Sequence, residues 1–145
     1  MTAMPPGFKA LTVKDYFMGR DRDERFAAEV TEAIVLNAHT TIARANELLY
    51  RFYTARPKAE PRIVTSGWRP GALNAATPGA SATSKHVIGA AIDLSDPDGE
   101  LDDWIMEHPA ILHECNLYME HPAATKGWCH LQTAAPKSGR RVFYP

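Results

Sequence analysis

Ser84-Lys85-His86-Val87-Ile88-Gly89-Ala90-Ala91-Ile92-Asp93-Leu94 is the stretch from which the fold of this chain is read. It opens on turn-forming residues and closes on a short apolar run, Gly89 to Leu94, bounded by the turn cluster Ser95-Asp96-Pro97-Asp98-Gly99. Such a run predicts a strand. Alternation then places Ala90, Ile92 and Leu94 on one face, the face a core would take. Asp93 falls on the other face beside Gly89 and Ala91, whose small side chains leave room next to it. A carboxylate at the end of a buried strand, seven residues after a lone histidine, asks for a positively charged partner.

Working outward, residues 1–22 carry turn residues and mixed charge and are read as an N-terminal arm. From Asp23 to Tyr53 apolar residues recur at Phe26, Val30, Ile34, Ala38, Ile42, Ala45, Leu48, Leu49 and Phe52. Spacings of three and four describe an amphipathic helix, with Asp23 as its N-cap. The weak patch at residues 37–41 leaves one helix or two open, and His39 there is a helix-surface residue. Pro57 and Pro61 bracket the helix end, and Arg62 to Ser66 reads as a strand. Residues 67–85 are rich in Gly, Pro, Ser, Thr and Asn, a loop of the length that is functional or disordered in compact domains. Leu101 to His108 fits a short helix, restarted beyond Pro109 with Ile111 and Leu112. Asn116 to Glu120 and Trp128 to Gln132 are two further strands. The tail is basic and then apolar, expected on the surface with Val142, Phe143 and Tyr144 docked.

These elements predict an α+β fold: a small, mainly antiparallel sheet with helices packed on one side and the polar site on the other face. One domain is expected, with an arm (1–22), a helical scaffold (23–53), a site-bearing core (62–132) and a tail (133–145). The composition is that of a globular chain, 45% hydrophobic and 23% charged. Sixteen basic residues against seventeen acidic ones give a formal charge of −1, so no basic surface argues for nucleic acid. No apolar run approaches the ~18 residues that cross a bilayer, so no membrane insertion is expected. The first seventeen residues lack the regions of a secretory signal, which predicts synthesis in a cytoplasm. Cys115 and Cys129 make no disulfide framework and are read as free thiols.

Sorting the later strands by face gathers the chemistry. Trp128, His130 and Gln132 share one face against Cys129 and Leu131; Tyr118 and Glu120 share one against Leu117 and Met119. If the three strands are neighbours, Asp93, His130 and Glu120 converge, and His86 enters from the preceding loop. Taken singly, each has an ordinary reading as a loop histidine, a strand-end carboxylate or a half-buried strand histidine. Two imidazoles and a carboxylate with a fourth position open to water have the composition of a catalytic zinc site. Glu120 is then placed to carry the proton between water and a leaving amine.

Three segments taken together are more specific. Ser66-Gly67-Trp68-Arg69, then Ser84, His86, Gly89, Ala91 and Asp93, then Trp128-Cys129-His130, occur in order. The chain in this respect resembles the M15 family of zinc D-Ala-D-Ala carboxypeptidases and phage endolysin peptidases, over residues 66–130. The resemblance implies one zinc ion per chain, held by His86, Asp93 and His130. It implies that Arg69 binds a carboxylate or carbonyl of the substrate and that Ser84 lies near the metal and contacts substrate. Many members of that family place the general base three residues before the last histidine, where this chain has Gly127. Glu120, on the preceding strand, is the expected replacement, with His121 a rival that alternation turns away.

The resemblance thus implies a zinc peptidase acting on the stem peptide or cross-link of peptidoglycan, beside a D-amino acid. Small size without a wall-binding repeat suits a phage or prophage product that reaches the cell wall through a holin or on the virion, with other phage or virion proteins as further partners. The missing acid at Gly127 motivates an alternative, a zinc-binding wall-peptide or virion module with little turnover. A thiol enzyme built on Cys129 is a weaker alternative, because alternation points that side chain away from His130. His113, Cys115 and His121 match no common zinc spacing.

Overall fold

The computed structural model describes residues 4–145. Its elements in chain order are α1 (Val13–Phe17), α2 (Glu32–Ala55), β1 (Val64–Ser66), α3 (Gly71–Ala75), β2 (Ala91–Asp96), α4 (Glu100–Glu107), α5 (Ala110–Glu114), β3 (Tyr118–Glu120), β4 (Gly127–Gln132) and β5 (Val142–Phe143). Short 3-10 turns lie at residues 20–22, 27–29 and 122–124. The fold is α+β, with five strands in the order β1-β2-β4-β3-β5. β2 pairs antiparallel with β1 and β4, and β4 antiparallel with β3.

The sheet is mixed rather than mainly antiparallel, because β5 runs parallel to β3. After β4 the chain passes through residues 133–141 and returns along the outer side of β3, a crossover long enough for parallel pairing. Val142 and Phe143 therefore dock as an edge strand, while Tyr144 stays exposed and stacks on His121 at 4.5 Å.

α2 is a single 24-residue helix capped by Thr31, whose side chain accepts the N–H of Ile34. The helix starts later than Asp23, because that carboxylate is taken up by Arg25 and residues 27–29 turn as a 3-10 helix instead. Ala38, Thr41, Ile42, Ala45, Leu48, Leu49, Phe52 and Tyr53 form its buried stripe. Full burial of each large aliphatic or aromatic one contributes about 1.5–3 kcal/mol. They join Ile92, Leu94, Met119, Cys129 and Leu131 from the strands in one hydrophobic cluster.

The weak patch in α2 proves to be its docking point. Thr41 is buried, and its hydroxyl bonds to the Asn37 and Gly89 carbonyls, both at 2.9 Å. Asn37 donates to the Ile88 carbonyl. Gly89 sits at φ +79°, and a Cβ there would come 2.7 Å from the Ile34 carbonyl oxygen. Only glycine lets the loop rest on the helix. The arm is likewise built in: Leu11, Tyr16 and Phe17 are buried, and the Tyr16 hydroxyl donates to the Ala91 carbonyl at 2.8 Å.

Candidate metal centre

Strand register builds the centre. Ser66 lies opposite Asp93, and Asp93 opposite His130. The β3–β4 register, Tyr118 to Gln132 and Met119 to Leu131, runs on to bring Glu120 beside His130. Glu120 in turn pairs with Phe143. Directly opposed residues point the same way, so Asp93, His130, Glu120 and Phe143 form one row, and Ser66 stands opposite Asp93 just past a register irregularity in β1. Their neighbours Ile92, Leu94, Met119, Cys129 and Leu131 alternate into the core.

His86 joins this row from the loop before β2. Its ring Nε2 lies 3.2 Å from Asp93 Oδ2, and His130 Nδ1 lies 2.8 Å from Asp93 Oδ1. The three candidate ligand atoms all fall within 4.8 Å of one another, and the three side chains are at most 13% exposed. The Gly67 carbonyl is 2.8 Å from His86 Nδ1. A carbonyl only accepts, so Nδ1 carries the proton and Nε2 turns its lone pair toward Asp93. A buried carboxylate and an imidazole lone pair facing each other need a cation between them, and this donor set fits a metal ion.

Electrostatics agree with that demand. Burial works to raise Asp93, but the two imidazoles that face it, His130 foremost, outweigh it and hold the carboxyl well below the usual range. Burial disfavours the His130 imidazolium, yet the Asp93 carboxylate beside it raises that group above an ordinary histidine.

The loop that carries His86 is held by the segment 66–69. A Cβ on Gly67 would lie 1.9 Å from the Tyr16 carbonyl oxygen, so the close approach of the arm admits glycine alone. Trp68 is fully buried and its indole N–H donates to the Val87 carbonyl at 3.0 Å. The Arg69 N–H donates to the His86 carbonyl. The Arg69 guanidinium is fixed from two sides, by Asn74 Oδ1 at 3.1 Å and Ser66 Oγ at 3.2 Å. It is therefore held from β1, the strand that pairs with the one carrying Asp93. Ser84 touches the loop rather than the row: its Oγ accepts the His86 N–H at 3.3 Å.

Glu120 Oε2 is 3.9 Å from His130 Nδ1. Burial lifts its carboxyl above the usual range, against the pull of His130. His121 is engaged elsewhere, accepting the Ala123 N–H and stacking on Tyr144. Gly127 faces Asp96 at the start of β4, three residues before His130. Cys129 is fully buried in the core, where burial and the nearby Asp102 push its thiol well above the ordinary range. That removes the thiolate a cysteine nucleophile needs. Both cysteines are free.

Two contacts were not read from the sequence as parts of the site. Phe143 closes its far end, with its ring 6.2 Å from that of His130. Gln132 accepts at His130 Nε2, 2.8 Å away, and donates to the Ala134 carbonyl at 2.7 Å. The alternation that puts Gln132 on the His130 face was the available signal. Among the described residues no helix is long and apolar enough to cross a membrane. No family model, curated protein or solved structure matches the chain.

Proposed function

We propose that the chain is a zinc-dependent peptidase of the peptidoglycan stem peptide or cross-link, cutting an amide beside a D-amino acid. The observation that carries this reading is the convergence of one ligand atom each from His86, Asp93 and His130 within 4.8 Å, with the Glu120 carboxylate 3.9 Å from His130. Two nitrogens and one carboxylate are the donors of catalytic rather than structural zinc sites, which leave a position for water and substrate. The likeness of residues 66–130 to the M15 peptidases directs the choice of zinc and of a wall peptide, and with it a phage or prophage origin and action at the bacterial wall. In this reading the site lies on the sheet face turned away from the helices, open to an extended peptide.

Bound there, zinc would polarise the scissile carbonyl and acidify water. Glu120 accepts the proton of the attacking water and returns it to the departing amine. Burial raises its carboxyl, the direction that suits a group which must both take and return a proton. Arg69, immobilised by Asn74 and Ser66, offers a planar guanidinium to a substrate carboxylate or carbonyl without losing side-chain freedom on binding. Ser84 acts through the His86 loop it caps.

The test combines metal analysis with digestion of purified peptidoglycan. About one zinc per chain, turbidity loss and new free amino groups are expected, and mass spectrometry of the muropeptides identifies the bond. Glu120→Gln should keep the metal and lose about 10²–10⁴-fold in rate. Full activity after exhaustive chelation would overturn the zinc reading. Unchanged zinc content with no turnover in the unaltered protein would favour the binding module instead.

A further inference from the structure

The hydrogen-bond chain from His130 to Ala134 has a direction. The Ala134 carbonyl can only accept, so the Gln132 group facing it at 2.7 Å must be the amide NH2. That orients Gln132 Oε1 toward His130 Nε2, 2.8 Å away. The amide oxygen is itself an acceptor, so the ring proton of His130 has to reside on Nε2. In the neutral ring the Nδ1 lone pair is then left for the cluster, 2.8 Å from Asp93 Oδ1. The amide is only 4% exposed, so water does not compete for either bond. A histidine free to choose would place its proton on Nδ1, against Asp93, and withdraw that nitrogen from a metal.

We infer that Gln132 is a positioning residue of the metal centre: through the Ala134 carbonyl, it fixes the His130 tautomer that exposes Nδ1 as the ligand atom. It performs for His130 what the Gly67 carbonyl performs for His86. The difference is that one is backbone and beyond mutation, while the other is a side chain. The inference rests on the metal-binding reading above and adds to it the residue that selects which nitrogen binds.

The experiment is zinc titration against a competing chelator for the unaltered chain, Gln132→Met and Gln132→Glu. It is paired with ¹⁵N NMR of the His130 ring in the metal-free protein, at a pH high enough for the ring to be neutral. Methionine fills the same space without the amide, and zinc affinity should fall about 10–100-fold. Glutamate keeps an acceptor oxygen for Nε2–H and should bind zinc more tightly than the methionine variant. The ring should carry its proton on Nε2 in the unaltered chain and Gln132→Glu, and shift toward Nδ1 in Gln132→Met. Equal zinc affinity in all three proteins, or a His130 tautomer that ignores the substitution, overturns the inference. If the unaltered chain binds no zinc, the metal reading falls while the NMR comparison still decides the role of Gln132.

Discussion

Asp102 offers a quantitative check on the core beneath the site. It lies in the first turn of α4, 4% exposed, with Oδ1 unpartnered and Oδ2 3.5 Å from the Thr125 hydroxyl. Burial chiefly, with the charges of Asp96 and Asp103, pushes its carboxyl from 3.8 up to about 7. A carboxyl whose folded value is raised holds its proton in the native state over a range where the unfolded chain has released it. Stability therefore falls as pH rises from about 4 to about 7. The shift of about three pK units, at about 1.4 kcal/mol each, amounts to about 4 kcal/mol at pH 8. Asp102→Asn removes the charge at nearly constant volume. The variant should match the unaltered chain near pH 4 and exceed it by about 4 kcal/mol at pH 8, a rise in Tm of roughly 10 °C for a domain of this size. Thermal unfolding of both proteins by circular dichroism, from pH 4 to 8 with chelator present, measures the difference free of metal linkage. A difference that stays flat across that range, or that favours aspartate at pH 8, would refute the assignment.

Two further substitutions test the supports of the centre. Arg62 is buried and bridges Asp96 at 3.3 Å, Asp98 at 3.5 Å and Glu100 at 3.4 Å. Arg62→Met strands the fully buried Asp96 charge and should cost about 3–5 kcal/mol in urea unfolding, and a loss under 1 kcal/mol would contradict this. Gly67→Ala forces a Cβ onto the Tyr16 carbonyl and should cost about 3 kcal/mol or more, or abolish soluble expression. A stable Gly67→Ala protein with unchanged zinc affinity would show that the arm is not packed against the His86 loop.

What the sequence made legible was set by period. A strand alternates every second residue, so counting positions is enough to separate Asp93 and His130 from Ile92 and Leu131. The facing register of β2 and β4 then made them neighbours. The 3.6-residue stripe of α2 was equally plain, but its start was not. Asp23 and Thr31 are both good caps, and the choice depends on Arg25 capturing Asp23. α3 was hidden in the Gly- and Ser-rich loop because its short helix is held by side chains outside it, distant Glu29 on the Gly71 N–H and nearby Arg69 on Asn74. The parallel docking of β5 was hidden for a similar reason, since nothing in Val142-Phe143 states which edge it will cover. Gln132 read as one more polar strand residue, because its meaning lies in a carbonyl two residues away.

The order of the strands in space differs from their order in the chain. β4 sits between β2 and β3, yet it is made after both. During synthesis β2 and β3 cannot be joined to each other in their final places, and the half-made sheet has a vacant lane down its middle. The segment that fills this lane, residues 127–132, is also the one that brings His130. Closing the sheet and completing the cluster are therefore a single event. A ribosome-bound chain ending before Gly127 therefore carries two open strand edges along that lane and only two of the three candidate ligands, and it gains both remedies together.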